Sequence, residues 1–213
     1  FPIPGYGAVV LAGGCLEPEL SSLLLSLDKP YSPSSPWGFT VAYTYSDAEE
    51  NRNNAANSDE RYLFDYSGQE GQPFTRSLGI PKHRLVATGN ADFWGFSVSS
   101  KLTLASPTSK EAVNCNANAS FDNCFFDPFT PSDTIGFKQF DLALQKEWDT
   151  GAGIKYRVRG DVFNVFNWQN YTDFDTWRGG PGAANANPGF GDRNGTGTVW
   201  PPRMFKLSFG LTW

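Results

Sequence analysis

Apolar and polar residues alternate with a period of two along most of this chain, and the final segment shows it best. Phe205, Leu207, Phe209, Leu211 and Trp213 share one parity, while Met204, Lys206, Ser208, Gly210 and Thr212 share the other. Successive side chains of a strand point to opposite faces, so the segment predicts a strand with one apolar face and one small or polar face. The same rhythm recurs towards the N-terminus. Ile154, Tyr156, Val158 and Val162 alternate with Lys155, Arg157, Arg159 and Asp161. Phe140, Leu142, Leu144 and Trp148 alternate with Gln139, Asp141, Ala143, Gln145 and Glu147. Phe96, Val98, Leu102 and Leu104 form a third such set, Leu85, Ala87, Gly89, Ala91 and Phe93 a fourth, and Trp37, Phe39, Val41, Tyr43 and Tyr45 a fifth. A less regular strand is expected near Leu20–Lys29, where Leu23, Leu25 and Leu27 share a face. The pattern therefore predicts seven antiparallel strands.

The connections come in two sizes that alternate. Tyr31–Pro36, Trp94–Gly95 and Asp149–Ala152 are short and made of turn-forming residues. The stretches near 49–79, 106–136 and 167–202 are long and rich in Asn, Gly, Asp and Pro. Three structureless loops of that length would count against the strand assignment in a compact globular domain. Transmembrane barrels have this asymmetry, with short turns on the periplasmic side and long loops outside. Trp37, Trp94, Trp148 and Trp213 all lie beside a short turn or at the terminus, where an aromatic girdle at one membrane interface is expected. The strand lengths also suit the roughly 9–11 residues that a tilted strand needs to cross a bilayer.

Composition narrows the choice. Hydrophobic residues make up 39% of the 213 residues, yet aromatics reach 15%, as expected when only alternate positions need be apolar while girdles consume rings. Seven Trp and eighteen Phe argue against a predominantly disordered chain. A net charge of −5 argues against a nucleic-acid partner. No apolar run approaches the length of a transmembrane helix. Leu11-Ala-Gly-Gly-Cys15 superficially resembles a lipoprotein cleavage site, but no basic start or long apolar region precedes it.

The parity opposite the apolar one is charged. A hairpin closing around Asp149–Ala152 brings Asp141, Gln145 and Glu147 near Lys155, Arg157 and Arg159. Opposite charges across neighbouring strands favour pairing by about 0.2–1 kcal/mol each. An Arg or Lys facing lipid at mid-membrane would instead cost about 2–4 kcal/mol. The charged parity is therefore assigned to a barrel lumen, with Lys155, Arg157, Arg159, Asp141 and Glu147 in its wall. A soluble sandwich would require the charged face to be its solvent side and the aromatic face its core.

Several phrases carry a family resemblance. Lys206, Ser208, Leu211 and Trp213 stand where the closing strands of bacterial outer-membrane barrels carry their assembly signal, although Gly is commoner at the place of Ser208. Pro81-Lys-His-Arg-Leu-Val-Ala-Thr-Gly89, Phe39-Thr-Val-Ala-Tyr-Thr-Tyr-Ser46 and Val158-Arg-Gly-Asp-Val-Phe-Asn-Val-Phe-Asn167 resemble the last third of TonB-dependent outer-membrane receptors, specifically the Oar-like group. The resemblance spans about residues 20–213 and is missing from the loops. It implies an all-β fold, an antiparallel transmembrane β-barrel segment giving the C-terminal strands of a plugged barrel of about 22 strands. Residues 1–18 would end an extracellular loop, and 19–213 would form barrel wall and surface loops. The implied partners are the remaining N-terminal barrel and plug, the inner-membrane TonB complex acting through that portion, outer-membrane lipids and the barrel-assembly machinery. The implied role is energised uptake of a siderophore, oligosaccharide or peptide. An odd strand count leaves two arrangements. Either the segment before Leu20 adds a strand to make a small complete pore, anchor or adhesin, or the seven strands belong to a larger barrel. A secreted β-sandwich binding module is the rival outside the membrane.

Candidate sites lie in the long loops. Tyr62, Phe64, Tyr66, Phe121, Phe125, Phe126, Phe129, Trp177, Phe190 and Trp200 stand beside acids and amides. They suit either loop packing or stacking on a sugar, chelator or peptide. Cys115 and Cys124, eight residues apart, suggest a loop-stapling disulfide in an oxidising compartment, which leaves Cys15 over. Asn51–Glu60 and Gly189–Gly197 hint at calcium without the spacing of a known loop motif, and no metal or other cofactor is expected. The one histidine, His83, sits at a strand entrance and is given a structural role. Neither cysteines without a nearby base nor Asp173 with Asp175 support catalysis, so no enzymatic activity is expected.

Overall fold

The computed structural model of the chain describes residues 17–51, 74–115, 125–131, 135–151, 153–193 and 202–213, with backbone alone at 125–127. The described residues form ten strands: β1 (Pro18–Lys29), β2 (Trp37–Glu50), β3 (Thr75–Arg76), β4 (His83–Phe93), β5 (Phe96–Ala105), β6 (Lys110–Asn114), β7 (Phe125–Phe129), β8 (Phe137–Asp149), β9 (Lys155–Phe163) and β10 (Met204–Thr212). The seven expected strands form one antiparallel meander in the order β1-β2-β4-β5-β8-β9-β10, each pairing with its neighbour in sequence. The fold is thus all-β, and the sheet is open, with β1 and β10 at its two edges.

The three further strands lie in the long connections, which the sequence reading treated as irregular. β3 adds a two-residue rung to the end of β2, and β6 pairs with β7 as a separate hairpin. Leu78 forms a parallel bridge with Ser109, and Val113 one with Trp177. The three connections are therefore bridged to one another at a single end of the sheet.

Pairing register shows how the alternation of each strand becomes a continuous face. Antiparallel partners point the same way, so a row can be followed across the sheet. Leu25 pairs with Tyr43, Tyr43 with Leu85, Leu85 with Leu104, Leu102 with Phe140, Leu142 with Val162, and Val162 with Phe205. One parity of all seven strands makes a single apolar surface. The opposite parity carries Thr40, Thr88, Lys101, Asp141, Asp161 and Lys206.

Neither face is covered by a second layer among the described residues. Phe205, Phe209, Leu207 and Leu211 are 74%, 75%, 63% and 52% exposed. Among the described residues buried apolar side chains are few, and all but Phe174 are small: Ala48, Ala112, Ala143, Cys115 and Phe174. Ala112, Cys115 and Phe174 belong to the loop assembly rather than to the sheet. Backbone pairing holds the sheet together without a hydrophobic core between two layers.

Short turns follow from local chemistry. Trp94 and Gly95 take φ values of 51° and 74°, the two positive values that a type I′ hairpin turn needs. Gly95 meets this at no steric cost, and Trp94 is left 90% exposed at the tip. In the β1–β2 turn the chain folds back so closely that a Cβ on Gly38 would lie 2.7 Å from the Tyr31 backbone nitrogen. The Tyr31 hydroxyl reaches the next hairpin and donates to Asp92 Oδ2.

Candidate functional site

Two bands of aromatic rings bound the apolar face. At the short-turn end Trp37 stacks on Phe39 with centroids 6.0 Å apart, and Phe93 meets Trp94 edge-on at 5.6 Å. Trp148, Tyr156 and Trp213 complete this band, with Trp213 88% exposed. At the long-loop end Tyr43 stacks against His83 and Tyr45 meets it at a tilt, and Phe166 lies between Phe140 and Trp168 at 5.5 and 4.8 Å. On β2, β8 and β10 the terminal rings are eight residues apart: Trp37 and Tyr45, Phe140 and Trp148, Phe205 and Trp213. At about 3.3 Å per residue the two bands are separated by about 26 Å along each strand.

Cations enter the apolar parity only within these bands. Lys29 Nζ sits 3.7 Å from the Trp37 ring centroid and donates to Ser35 Oγ and to the Trp37 carbonyl, both at 2.7 Å. Lys146 Nζ lies 4.7 Å from the Phe96 ring centroid, over the turn residue Gly95. At the other end Lys138 faces Trp168 and Lys82 faces Tyr45. Lys82 also pairs with Asp47 at 3.3 Å. Its ammonium is held above the usual lysine value, first by the hydrogen bond to Asp47 and then by that to Tyr45. Each aliphatic stem covers apolar surface while its charge reaches a ring or a polar group at the border, the snorkelling geometry of amphipathic side chains.

The charged face brings together most of the residues expected there. Glu147 stands opposite Arg157, and Gln145 opposite Arg159. Lys155 Nζ lies 3.6 Å from Glu147 and 3.7 Å from Asp149. Arg159 pairs with Asp161 on its own strand at 2.8 Å. The Arg157 guanidinium lies over Gly210, where a Cβ would approach it to 3.2 Å. Asp141 departs from the expected clustering with β9 cations. Its carboxylate accepts from Gln139 Nε2 and from the Asn164 backbone N–H at 2.9 Å, and its cross-strand neighbour is Lys101. The sequence pattern gave no sign of this, because the turn after β9 that presents the Asn164 amide is not periodic. A cavity of about 500 Å³ on this face is lined by Arg157, Arg159, Asp161, Lys206 and Ser208. Lys206 and Ser208 thus point to the charged face, and Leu211 and Trp213 to the apolar one.

Among the loop candidates, Phe129, Trp177 and Phe190 are described in full. Trp177 lies on the ladder to β6, where the Val113 N–H donates to the Thr176 carbonyl and the Arg178 N–H donates to the Val113 carbonyl, both at 3.0 Å. Phe190 packs on Phe129 with centroids 4.7 Å apart and beneath the Arg178 guanidinium at 4.2 Å. Phe190 thus packs loop against loop, whereas Trp177 is tied in through its backbone and is 39% exposed. Phe125 and Phe126 fall on β7, and their side chains lie outside the described residues. Tyr62, Phe64, Tyr66, Phe121 and Trp200 also lie outside them, as do Cys15, Cys124 and residues 1–16. Cys115 is 1% exposed and disulfide-bonded. His83 Nδ1 is hydrogen-bonded to the Tyr43 hydroxyl at 2.8 Å. Among the described residues no three His, Cys, Asp or Glu side chains are grouped to hold a metal. Asp175 directs its carboxylate to the Trp177 N–H and to Asn187 Nδ2.

Sequence reasoning missed a second cavity, of about 310 Å³, where the charged face meets the loops. Its lining comes from Pro81 and Arg84, from the stretch 103–110, from Pro131, Gly136 and Phe137, and from the stretch 170–174, segments that no local pattern connects.

Comparison of the chain with protein-family models and with curated proteins returns no match.

Proposed function

We propose that this chain is a wall segment of an outer-membrane β-barrel of the TonB-dependent receptor class. Its long loops face the cell exterior, and its short turns and Trp213 face the periplasm. The observation that carries the reading is the apolar face, in register across seven strands, interrupted by lysines only at its borders and without a covering layer among the described residues. That face ends in aromatic bands at both borders and is backed by a charged one. In water such a surface far exceeds the few hundred Å² of contiguous apolar area that a soluble monomer tolerates. In lipid it is the expected outer wall, about 25 Å tall between aromatic girdles. The lysines Lys29, Lys82, Lys138 and Lys146 then stand at the headgroup levels.

The open edges of β1 and β10 support a larger closed barrel, because each unpaired backbone group in lipid costs several kcal/mol. In this reading the partners of those edges are the other strands of the receptor, whose plug fills the charged lumen. Ligand uptake powered by an inner-membrane complex rests on the resemblance of the three sequence phrases.

Extraction decides the placement. Membranes of cells expressing the chain are washed with high salt and urea, then solubilised in mild detergent, and the intact mass and companions of the chain are measured. Recovery in the detergent fraction with a larger plug-bearing polypeptide is the expected result. Recovery as a folded, detergent-free monomer defeats the barrel reading. A lone 23.4 kDa barrel keeps the membrane placement but replaces transport by a small pore or anchor.

A further inference from the structure

The 310 Å³ cavity has an asymmetry that the rest of the charged face lacks. Its walls are mostly apolar: Pro107 and Pro131 on the connecting segments, Phe137 at the start of β8, and Phe174, which is 8% exposed. Among the described residues its only charged lining residues are two cations, Arg84 on β4 and Lys110 on β6. Among the described residues neither cationic side chain forms a hydrogen bond or an ion pair, whereas Arg159, Lys155 and Lys82 all have carboxylate partners. Lys110 is half-buried, and Arg84 stands exposed at the rim.

We propose that this cavity binds a small organic anion, an aromatic or branched carboxylate whose apolar body lies against Phe137, Phe174 and the two prolines. Its carboxylate meets Arg84 and Lys110. A volume of 310 Å³ falls at the lower end of the range of small-molecule sites, where a few placed polar groups orient an otherwise apolar ligand. A guanidinium suits a carboxylate because its planar donors match both oxygens, and Lys110 adds a point charge to the same cavity. Water alone solvates the half-buried ammonium poorly, so an anion there replaces a deficient environment. The larger cavity by Arg157 and Arg159 carries Asp161 in its own wall and offers no comparable preference for an anion. The inference rests on the proposed receptor reading for its biological role, as the mouth of the uptake path, but not for the cavity itself.

The test uses 2-naphthoate and its neutral counterpart 2-naphthamide as probes. Saturation-transfer NMR is recorded on the full chain in lipid nanodiscs, with empty nanodiscs as the blank. If the chain proves soluble, the same titration runs in buffer, so failure of the membrane placement and failure of this site are read separately. The naphthoate is expected to bind about tenfold or more tighter than the amide, the scale of one charge-assisted hydrogen bond. Arg84→Gln combined with Lys110→Gln should erase that preference while the strand signal in circular dichroism persists, and Arg84→Lys should retain part of it. Equal binding of the two probes to the unmodified chain, no binding of either, or a preference that survives the double substitution overturns the proposal. If the double variant does not fold, Ala105→Phe, which fills the cavity from β5, decides instead. Naphthoate binding that survives that change also overturns it.

Discussion

Asn164 and Trp168 close a ring of two hydrogen bonds: the Trp168 N–H donates to Asn164 Oδ1 and Asn164 Nδ2 donates to the Trp168 carbonyl, each at 2.9 Å. Asn164 is 2% exposed, and its own N–H donates to Asp141. Asn164 and Asn167 both have φ of 52°, a region that asparagine tolerates better than most residues with a Cβ. The repeated Val-Phe-Asn phrase therefore has a physical reading: two left-handed asparagines turn the chain after β9 so that Phe166 lands on the aromatic band at the long-loop end. Replacing Asn164 by Ala orphans two part-buried backbone groups of Trp168 and should lower stability by about 1 kcal/mol. The shift of the urea midpoint measures it, and an unchanged midpoint would remove Asn164 from this role.

Phe209 and Ser208 are neighbours on β10 that point to opposite faces. Phe209→Arg puts a cation on the apolar face between the two aromatic bands and should cost about 2–4 kcal/mol in a bilayer. Ser208→Arg puts it beside Arg159 on the charged face, where water or a counter-charge is in reach, and should be mild. Heat-modifiable gel migration after expression reports the folded fraction of each. Equal losses at the two positions would defeat the assignment of the faces.

The sheet was legible because its requirement is local. A strand between two unlike media must alternate, and Phe205 to Trp213 or Trp37 to Tyr45 do so without a gap. Lys29 and Lys146 break the apolar parity, and their tolerance becomes clear only once Trp37 and Phe96 stand beside them at the border. β6 and β7 were not legible: Lys110–Asn114 does not alternate, and Pro128 inside β7 argues against a strand on sequence alone. Their pairing depends on burial of Ala112 and Cys115 and on bridges to distant segments. For the same reason Arg84 and Lys110 were not singled out, since they are 26 positions apart and meet only across the cavity.

The Tyr31 phenol pins the first short turn to the second hairpin and should make that contact sensitive to alkali. Its pKa lies above the ordinary tyrosine value of about 10, raised first by its hydrogen bond to Asp92, then by loss of water, then by the carboxylate charge. A group whose folded value is raised contributes fully below its unfolded value, and the contribution disappears as pH rises through the folded one. Lys82, also raised, acts in the same direction at the opposite end. The turn should therefore loosen only above about pH 10, and Tyr31→Phe should loosen it already at neutral pH and flatten the alkaline transition. Amide exchange of residues 31–38 followed against pH checks this. A Tyr31→Phe profile identical to the parent would show that the hydroxyl contributes nothing.

The Cys115 disulfide should hold the loop assembly rather than the sheet. Cys115 follows β6, two residues beyond Val113, whose N–H and carbonyl are both engaged by the strip around Trp177. Its partner cysteine lies outside the described residues. Removing a disulfide that closes a loop of about ten residues releases roughly 2–4 kcal/mol of constraint, here on a hairpin that among the described residues is bridged to the loop residue Trp177 and pairs with no strand of the meander. Reduction should therefore expose 110–129 and 176–178 to limited proteolysis while leaving the strand signal and gel migration unchanged. Cys124→Ser should reproduce the reduced digestion pattern under oxidising conditions, and Cys15→Ser should keep the oxidised one. The reverse outcome would assign the bridge to Cys15 and would tie the N-terminal segment, rather than the second loop alone, to the ladder formed by Val113 and Trp177.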